Sequence, residues 1–108
     1  MIAHISDAAR LALLYKYGGF YSDLDTIAVK SFETLTKISG AGYLREDGPS
    51  LGNGFLHFTK EHAYLSYLMS EFQAEYNPHL WGVNGPSLLI KTLTSFCNTN
   101  RHIFFGYD

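Results

Sequence analysis

Two successive glycines, Gly18-Gly19, divide the first part of this sequence into two kinds of pattern that no single secondary structure can accommodate. Upstream, Ser6 is placed to cap a helix and Asp7 falls in the first turn, where the helix dipole favours a negative charge. Ala8, Leu11, Ala12 and Tyr15 then recur at helical spacing. Glycine tolerates the left-handed backbone that ends helices, so residues 7–17 read as a short helix closed by the pair. Downstream, Phe20-Tyr21 and Thr26-Ile27-Ala28-Val29 carry the aromatic and β-branched content of strands, on either side of Asp23-Leu24-Asp25. The carboxylates are therefore expected at a strand end or a strand-to-strand bend.

Helix and strand signals keep alternating to the end. Residues 34–39 suggest a turn or short helix, 41–45 a strand, and 46–54 a polar, glycine-rich loop. Phe55-Leu56-His57-Phe58 reads as a strand. Thr59 is placed to cap a second helix with Leu65, Leu68, Met69, Phe72 and Tyr76 on one face, broken by Asn77-Pro78. After a loop with Trp81, Gly82, Asn84 and Gly85, Pro86 suits the first position of a third helix whose face carries Leu89, Leu93 and Phe96. A last strand is expected at residues 102–105. The alternation argues for an α/β or mixed-sheet architecture with no internal repeat and no linker.

At 108 residues the chain has room for one core. Its 46% hydrophobic content suffices for a packed interior, and its 17% charged content is too little for a disordered tail. Sixteen Tyr and Phe residues fill that core or line a pocket for flat rings such as sugars and bases. The net charge of −2, with both signs mixed along the chain, offers no basic stripe for nucleic-acid phosphates, so nucleic acid is not expected as a partner. Cys97 is the sole cysteine, which excludes an internal disulfide and a thiolate zinc cluster; it reads as a small buried hydrophobe near a helix end. No run of about eighteen apolar residues could span a bilayer, and no basic-then-apolar leader opens the sequence.

Asp23 and Asp25 carry the chemistry of most interest. Hard divalent cations such as Mg²⁺ and Mn²⁺ prefer oxygen ligands, and alternate side chains of an extended strand point the same way, so both carboxylates could face one ion. Alone, Asp-x-Asp is more often an acidic surface turn. Asp7 and Arg10 stand one helical turn apart, which equally suits a capping aspartate with a local ion pair. The five histidines, His4, His57, His62, His79 and His102, lack a metal spacing and read as surface or structural groups.

Ser6-Asp7-Ala8-Ala9-Arg10, then Leu14-Tyr15-Lys16-Tyr17-Gly18-Gly19-Phe20-Tyr21-Ser22 and the two aspartates, together resemble the DXD-containing sugar-binding region of the α-1,4-glycosyltransferase family. A second block, Asn53-Gly54-Phe55-Leu56-His57-Phe58, His62, Tyr76-Asn77 and Trp81-Gly82-Val83-Asn84-Gly85-Pro86, resembles that family's C-terminal part and favours its galactosyl and N-acetylglucosaminyl branch. The resemblance divides the chain into residues 1–35, the sugar-binding region, and 36–108, the C-terminal region, within one incomplete domain. It implies a partial glycosyltransferase-A type, Rossmann-like α/β fold and a retaining transferase that moves a hexose from a UDP-sugar to a glycolipid or glycoprotein glycan. It also implies Mn²⁺ on Asp23 and Asp25, bridging the donor diphosphate. Donor-sugar contacts then fall to Asp7, Arg10 and Asp23, and Tyr21, Asn53, Trp81, Asn84 and Gly85 border the cleft. A Golgi-lumenal setting, with a membrane anchor outside these residues, follows from the same resemblance.

Two other readings stand beside this one. A truncated, non-catalytic homologue is suggested because the family's nucleotide-binding βα units lie before the position of Ile5. Asp23-Leu24-Asp25-Thr26 also resembles the nucleophile motif of haloacid-dehalogenase phosphatases, although those follow a buried apolar strand and here Gly18-Gly19-Phe20-Tyr21-Ser22 precede the pair.

Overall fold

A computed structural model of the chain describes residues 2–33, 40–41, 52–80 and 83–99. Helix α1, Ile2–Tyr17, is followed by strand β1, Gly19–Ser22, strand β2, Gly40–Ala41, and strand β3, Phe55–Phe58. Helix α2, Ala63–Glu75, a π-helical turn at Val83–Ser87 and helix α3, Leu88–Thr99, complete the described elements. The mixed α/β architecture is the one expected from the alternating patterns.

The glycine pair ends α1 as expected, for two reasons. Gly18 sits at φ 68° and Gly19 at φ 98°, a region costly for residues with a Cβ. A Cβ at Gly18 would also lie 2.6 Å from the Lys60 amide nitrogen, because the turn before α2 packs directly on the helix end. That turn does more than pack: the Glu61 amide donates to the Tyr15 carbonyl at 2.9 Å, satisfying one of the acceptors a helix C-terminus leaves open.

The start of α1 differs from expectation. The helix already runs from Ile2, so Ser6 lies inside it and caps nothing. Leu11 and Leu14 are buried and Tyr15 is half-buried, while Ala12, expected on the apolar face, is exposed.

β3 is the central strand of a three-stranded antiparallel sheet in the order β1-β3-β2. Tyr21 stands opposite Leu56 and Phe20 opposite His57. Directly opposed residues share a sheet face, so Tyr21, Leu56 and Phe58 look toward the helices. On the other face Phe20 stacks on His57 with ring centres 4.0 Å apart, and Phe32 and Phe55 join them. Residues 26–29, expected as a strand, form none: Ile27 and Val29 are exposed. β-Branched content favours a strand only where a neighbouring strand supplies the ladder, and none lies beside this segment among the described residues.

Leu11 and Leu14 of α1, Leu56 and Phe58 of β3, Tyr64, Leu65 and Leu68 of α2, and Leu88, Leu89 and Phe96 of α3 form one core. Tyr64 shows how a polar atom is admitted to it: its hydroxyl donates to the Leu89 carbonyl at 3.1 Å and lies 3.1 Å from the Thr92 hydroxyl. Burial pushes its pKa up to about 12, so the phenol stays protonated.

Helix α2 begins later than expected. His62 caps it, its Nδ1 accepting from the Tyr64 amide at 3.1 Å, whereas Thr59 only offers its carbonyl to the His62 amide. Asn77-Pro78 follows its end, as expected. Pro86 stands in the π-helical turn rather than first in α3; proline has no amide to join a regular helical ladder, and α3 starts two residues beyond it. Cys97 is half-buried in the last turns of α3. The expected strands at 41–45, beyond Ala41, and at 102–105 lie outside the described residues, as do residues 34–39.

Candidate functional site

Helical geometry puts Ser6, Asp7 and Arg10 on one side of α1, since residues three and four apart are neighbours on a helix surface. Arg10 is buried at 6% exposure, and a buried guanidinium is tolerable only when its charge and its N–H groups are matched. Two carboxylates meet the charge, and three of the five N–H groups make hydrogen bonds. Nε donates to the Ser6 carbonyl at 3.2 Å, Nη2 to the Ser6 hydroxyl at 2.9 Å, and Nη1 to the Asn53 carbonyl at 2.7 Å. Nη2 also lies 3.4 Å from Asp7 Oδ1, and Nη1 lies 3.4 Å from Asp23 Oδ1. The guanidinium sits over the Tyr21 ring, 4.7 Å from its centre.

β1 delivers Asp23 to this arginine. The Asp23 amide donates to the Gly54 carbonyl at 2.8 Å, tying the strand end to the entry of β3. Its carbonyl then accepts from the Thr26 amide at 3.2 Å, which closes a β-turn with Leu24 and Asp25 at the centre. The alternation expected of a continuous strand is therefore not what relates Asp23 to Asp25. A turn does so, and both carboxylates line one open cleft of about 560 Å³ with Ser6, Tyr21, Ser22 and Leu24. A second cleft, of about 410 Å³, adjoins it through Ser6 and Asp23 and takes in Asp7, Arg10 and Pro86.

Tyr21 shares the task of holding Asp23. From the core side of β1 its hydroxyl donates to Asp23 Oδ1 at 2.6 Å. Its pKa is raised, first by burial and then by that hydrogen bond, which keeps the phenol a donor. Asn53 does the same for Asp7, its Nδ2 donating to Asp7 Oδ1 at 2.8 Å. Gly85 closes over this pair. A Cβ there would fall 2.6 Å from Asn53 Nδ2 and 3.1 Å from each Asp7 carboxylate oxygen, so the turn before α3 approaches only because the residue has no side chain.

Asp7, Arg10, Tyr21, Asp23, Asn53 and Gly85 thus meet in space, from four separate stretches of chain, and Asp25 lines the adjoining cleft. Trp81 lies outside the described residues, as does the Asn84 side chain. Sequence reasoning missed Ser6, which it read as a cap; its position four residues before Arg10 is the signal that places it beside the guanidinium once the helix is known to start upstream. Of the histidines, His62 caps α2, His57 stacks on Phe20 and buried His4 meets the Tyr76 ring edge. No group of three or more His, Cys, Asp or Glu side chains suited to a metal occurs among the described residues. The strand before Asp23 is largely exposed, unlike the buried apolar strand that a haloacid-dehalogenase nucleophile follows.

Comparison with known proteins finds two family regions in the chain. Residues 1–40 match the model of the glycosyltransferase sugar-binding region containing DXD motif, and residues 57–103 match that of the alpha 1,4-glycosyltransferase conserved region. The chain is similar to lactosylceramide 4-alpha-galactosyltransferase of Rattus norvegicus, 37% identical over 94 residues, which is 87% of this chain and 25% of the relative. It is also similar to alpha-1,4-N-acetylglucosaminyltransferase of Homo sapiens, 35% identical over 97 residues, 87% of this chain and 26% of the relative. Among solved structures it resembles the PaToxG glycosyltransferase with a TM-score of 0.70 and 27% identity, over 94% of this chain and 37% of that one. The chain spans about a quarter of the length of these two curated relatives.

Proposed function

This chain belongs to the α-1,4-glycosyltransferase family, and we propose that its cleft is the donor site of a retaining hexosyltransferase that takes a UDP-sugar, galactose or N-acetylhexosamine, and passes the hexose to a glycolipid or glycoprotein glycan. One observation carries the reading. Arg10 stands between Asp7 and Asp23 while Asn53 and Gly85 clasp Asp7 from the other side, so residues of both family regions converge on one cleft.

The donor set fits a hard divalent cation. Asp23 and Asp25 line the same cleft, and both contacts to Asp23 fall on Oδ1, which leaves Oδ2 for a ligand. Two carboxylates are few for a cation held by protein alone, but suit Mg²⁺ or Mn²⁺ whose remaining positions are filled by diphosphate oxygens and water. Such a cation would supply Lewis-acid neutralisation of the charge that builds on the departing diphosphate. Asp7, one helical turn from Arg10 in the adjoining cleft, is positioned to accept hydrogen bonds from donor-sugar hydroxyls. A Golgi-lumenal, membrane-associated setting is proposed from what the relatives' names say of their substrates; no helix among the described residues is long and apolar enough to cross a membrane.

Titration with Mn²⁺ tests the metal reading: saturable binding by the native chain, abolished in Asp25→Ala, is the expected result, and superimposable isotherms for the two proteins would end it. Hydrolysis of UDP-galactose, UDP-glucose and their N-acetylated forms by the longer protein tests the transferase reading. Silence with all four donors would leave the non-catalytic homologue as the better account.

A further inference from the structure

From the stacking of rings on the outer face of the sheet we infer that Phe32 is a positioning residue for the carboxylate turn: it closes the loop that carries Asp23 and Asp25, and so holds Asp25 where one cation can meet both. The two aspartates are not secured alike. Asp23 is tied through its amide to the Gly54 carbonyl at 2.8 Å, and through Oδ1 to the Tyr21 hydroxyl at 2.6 Å and to Arg10. None of those ties extends to Asp25, an exposed residue whose place depends on the backbone to either side of it. Before it, that backbone is fixed by the β-turn, in which the Thr26 amide donates to the Asp23 carbonyl at 3.2 Å. After it, residues 26–31 join no strand, and Ile27 and Val29 are exposed. The chain is next held at Phe32, whose ring stacks on Phe20 with centres 5.2 Å apart and planes at 25°, and meets Phe55 at 5.3 Å.

Strand register builds the other half of this clasp. Phe20 stands opposite His57 and Ser22 opposite Phe55, so Phe20, His57 and Phe55 share the sheet face turned away from the helices. Phe20 is itself held there by its stack on His57, at 4.0 Å and 14°. Because Phe20 precedes the turn and Phe32 follows it, their contact brings the two ends of the loop together and removes backbone freedom from everything between, the carboxylates included. The inner face of the sheet thus fixes Asp23, and the outer face fixes the return of the chain beyond Asp25. None of the four outer rings belongs to the core, so the clasp can open without undoing the fold. The apparent affinity of a site falls with the fraction of time that it is formed, and a loop in the binding geometry one-tenth of the time binds about tenfold more weakly. The inference rests on the proposed metal role of Asp23 and Asp25, and its test keeps the two ideas apart.

The test uses Mn²⁺ alone, with no nucleotide sugar, titrated into the native chain, Phe32→Ala, Phe32→Leu and Phe32→Tyr, with circular dichroism and thermal melting to follow the fold of each. A Phe32 that serves only the fold lowers the melting temperature when replaced and leaves the Mn²⁺ affinity of the folded chain where it was. A clasp lowers that affinity, by about tenfold in Phe32→Ala, while Phe32→Tyr keeps the flat ring and binds as the native chain does. Native affinity in a folded Phe32→Ala overturns the inference, as does a folded Phe32→Tyr that binds as weakly as Phe32→Ala. If Phe32→Ala does not fold, Phe32→Leu decides, since it keeps an apolar side chain and has no ring to stack on Phe20: weaker binding than native supports the clasp, and native binding overturns it. A native chain that binds no Mn²⁺ overturns the metal reading itself, and this inference with it.

Discussion

Gly18 and Gly85 look alike in the sequence, yet they exclude a side chain for different reasons and should fail differently. At Gly18 the atom that a Cβ would strike, at 2.6 Å, is the backbone nitrogen of Lys60, and φ is 68°. Neither the left-handed conformation nor a backbone neighbour can yield cheaply, so Gly18→Ala should cost about 2–3 kcal/mol, read from the urea midpoint. At Gly85 the struck atom is the tip of the Asn53 side chain, which can swing away. Gly85→Ala should therefore lower stability by only about 1 kcal/mol, the net value of the lost Asn53–Asp7 hydrogen bond. Its effect belongs to the site: Asp7 loses the hydrogen bond from Asn53, and the KM for the sugar donor should rise while Mn²⁺ affinity holds. A Gly85→Ala chain that unfolds as readily as Gly18→Ala would show that the turn before α3 cannot adjust.

Elements were legible in the sequence wherever their limits are local. Gly18-Gly19 and Asn77-Pro78 end helices by their own conformational preferences, and the apolar spacing in α2 and α3 names Leu65, Leu68, Leu89 and Phe96 as core, which they are. Starts were less legible, because Ser6 and Thr59 are capping residues by type, and only the surrounding chain decides whether a helix begins there. The candidate site was legible as a list of residues through the family resemblance; that Tyr21 and Asn53 each steady an aspartate is long-range geometry that spacing cannot express. The cap that was missed makes a prediction of its own. His62 must offer an unprotonated Nδ1 to the Tyr64 amide, and burial lowers its pKa below the ordinary 6.5. A folded-state pKa below the unfolded one means that this stabilisation is complete above 6.5 and is lost as the pH falls through that value toward the folded pKa. His62→Asn keeps a capping acceptor without the titration. Between about pH 7.5 and 5.5 it should lose less stability than the native chain, and parallel pH profiles would exclude His62 as the cause.

At the scale of the whole molecule, a chain of contacts joins the site to the core. Arg10 on α1 reaches Asn53 before β3, Asn53 meets Gly85 before α3, and α3 is held to α2 through Tyr64 and Leu89. Unfolding of any one helix should therefore dismantle the cleft, so a ligand that binds only the assembled cleft must stabilise the entire fold by mass action. Mn²⁺ at a hundred times its dissociation constant should add about 2.7 kcal/mol. For a domain of this size that is a rise in melting temperature on the order of 10 °C, measured with Mn²⁺ against a chelator control. Leu24, Ile27 and Val29 are exposed around the carboxylate turn, so a metal effect confined to that loop would leave the core transition where it was. The two cases separate by experiment. A shift of the single, global transition that vanishes in Asp25→Ala supports a cleft continuous with the core, and a shift that persists in Asp25→Ala assigns the metal to some other part of the surface.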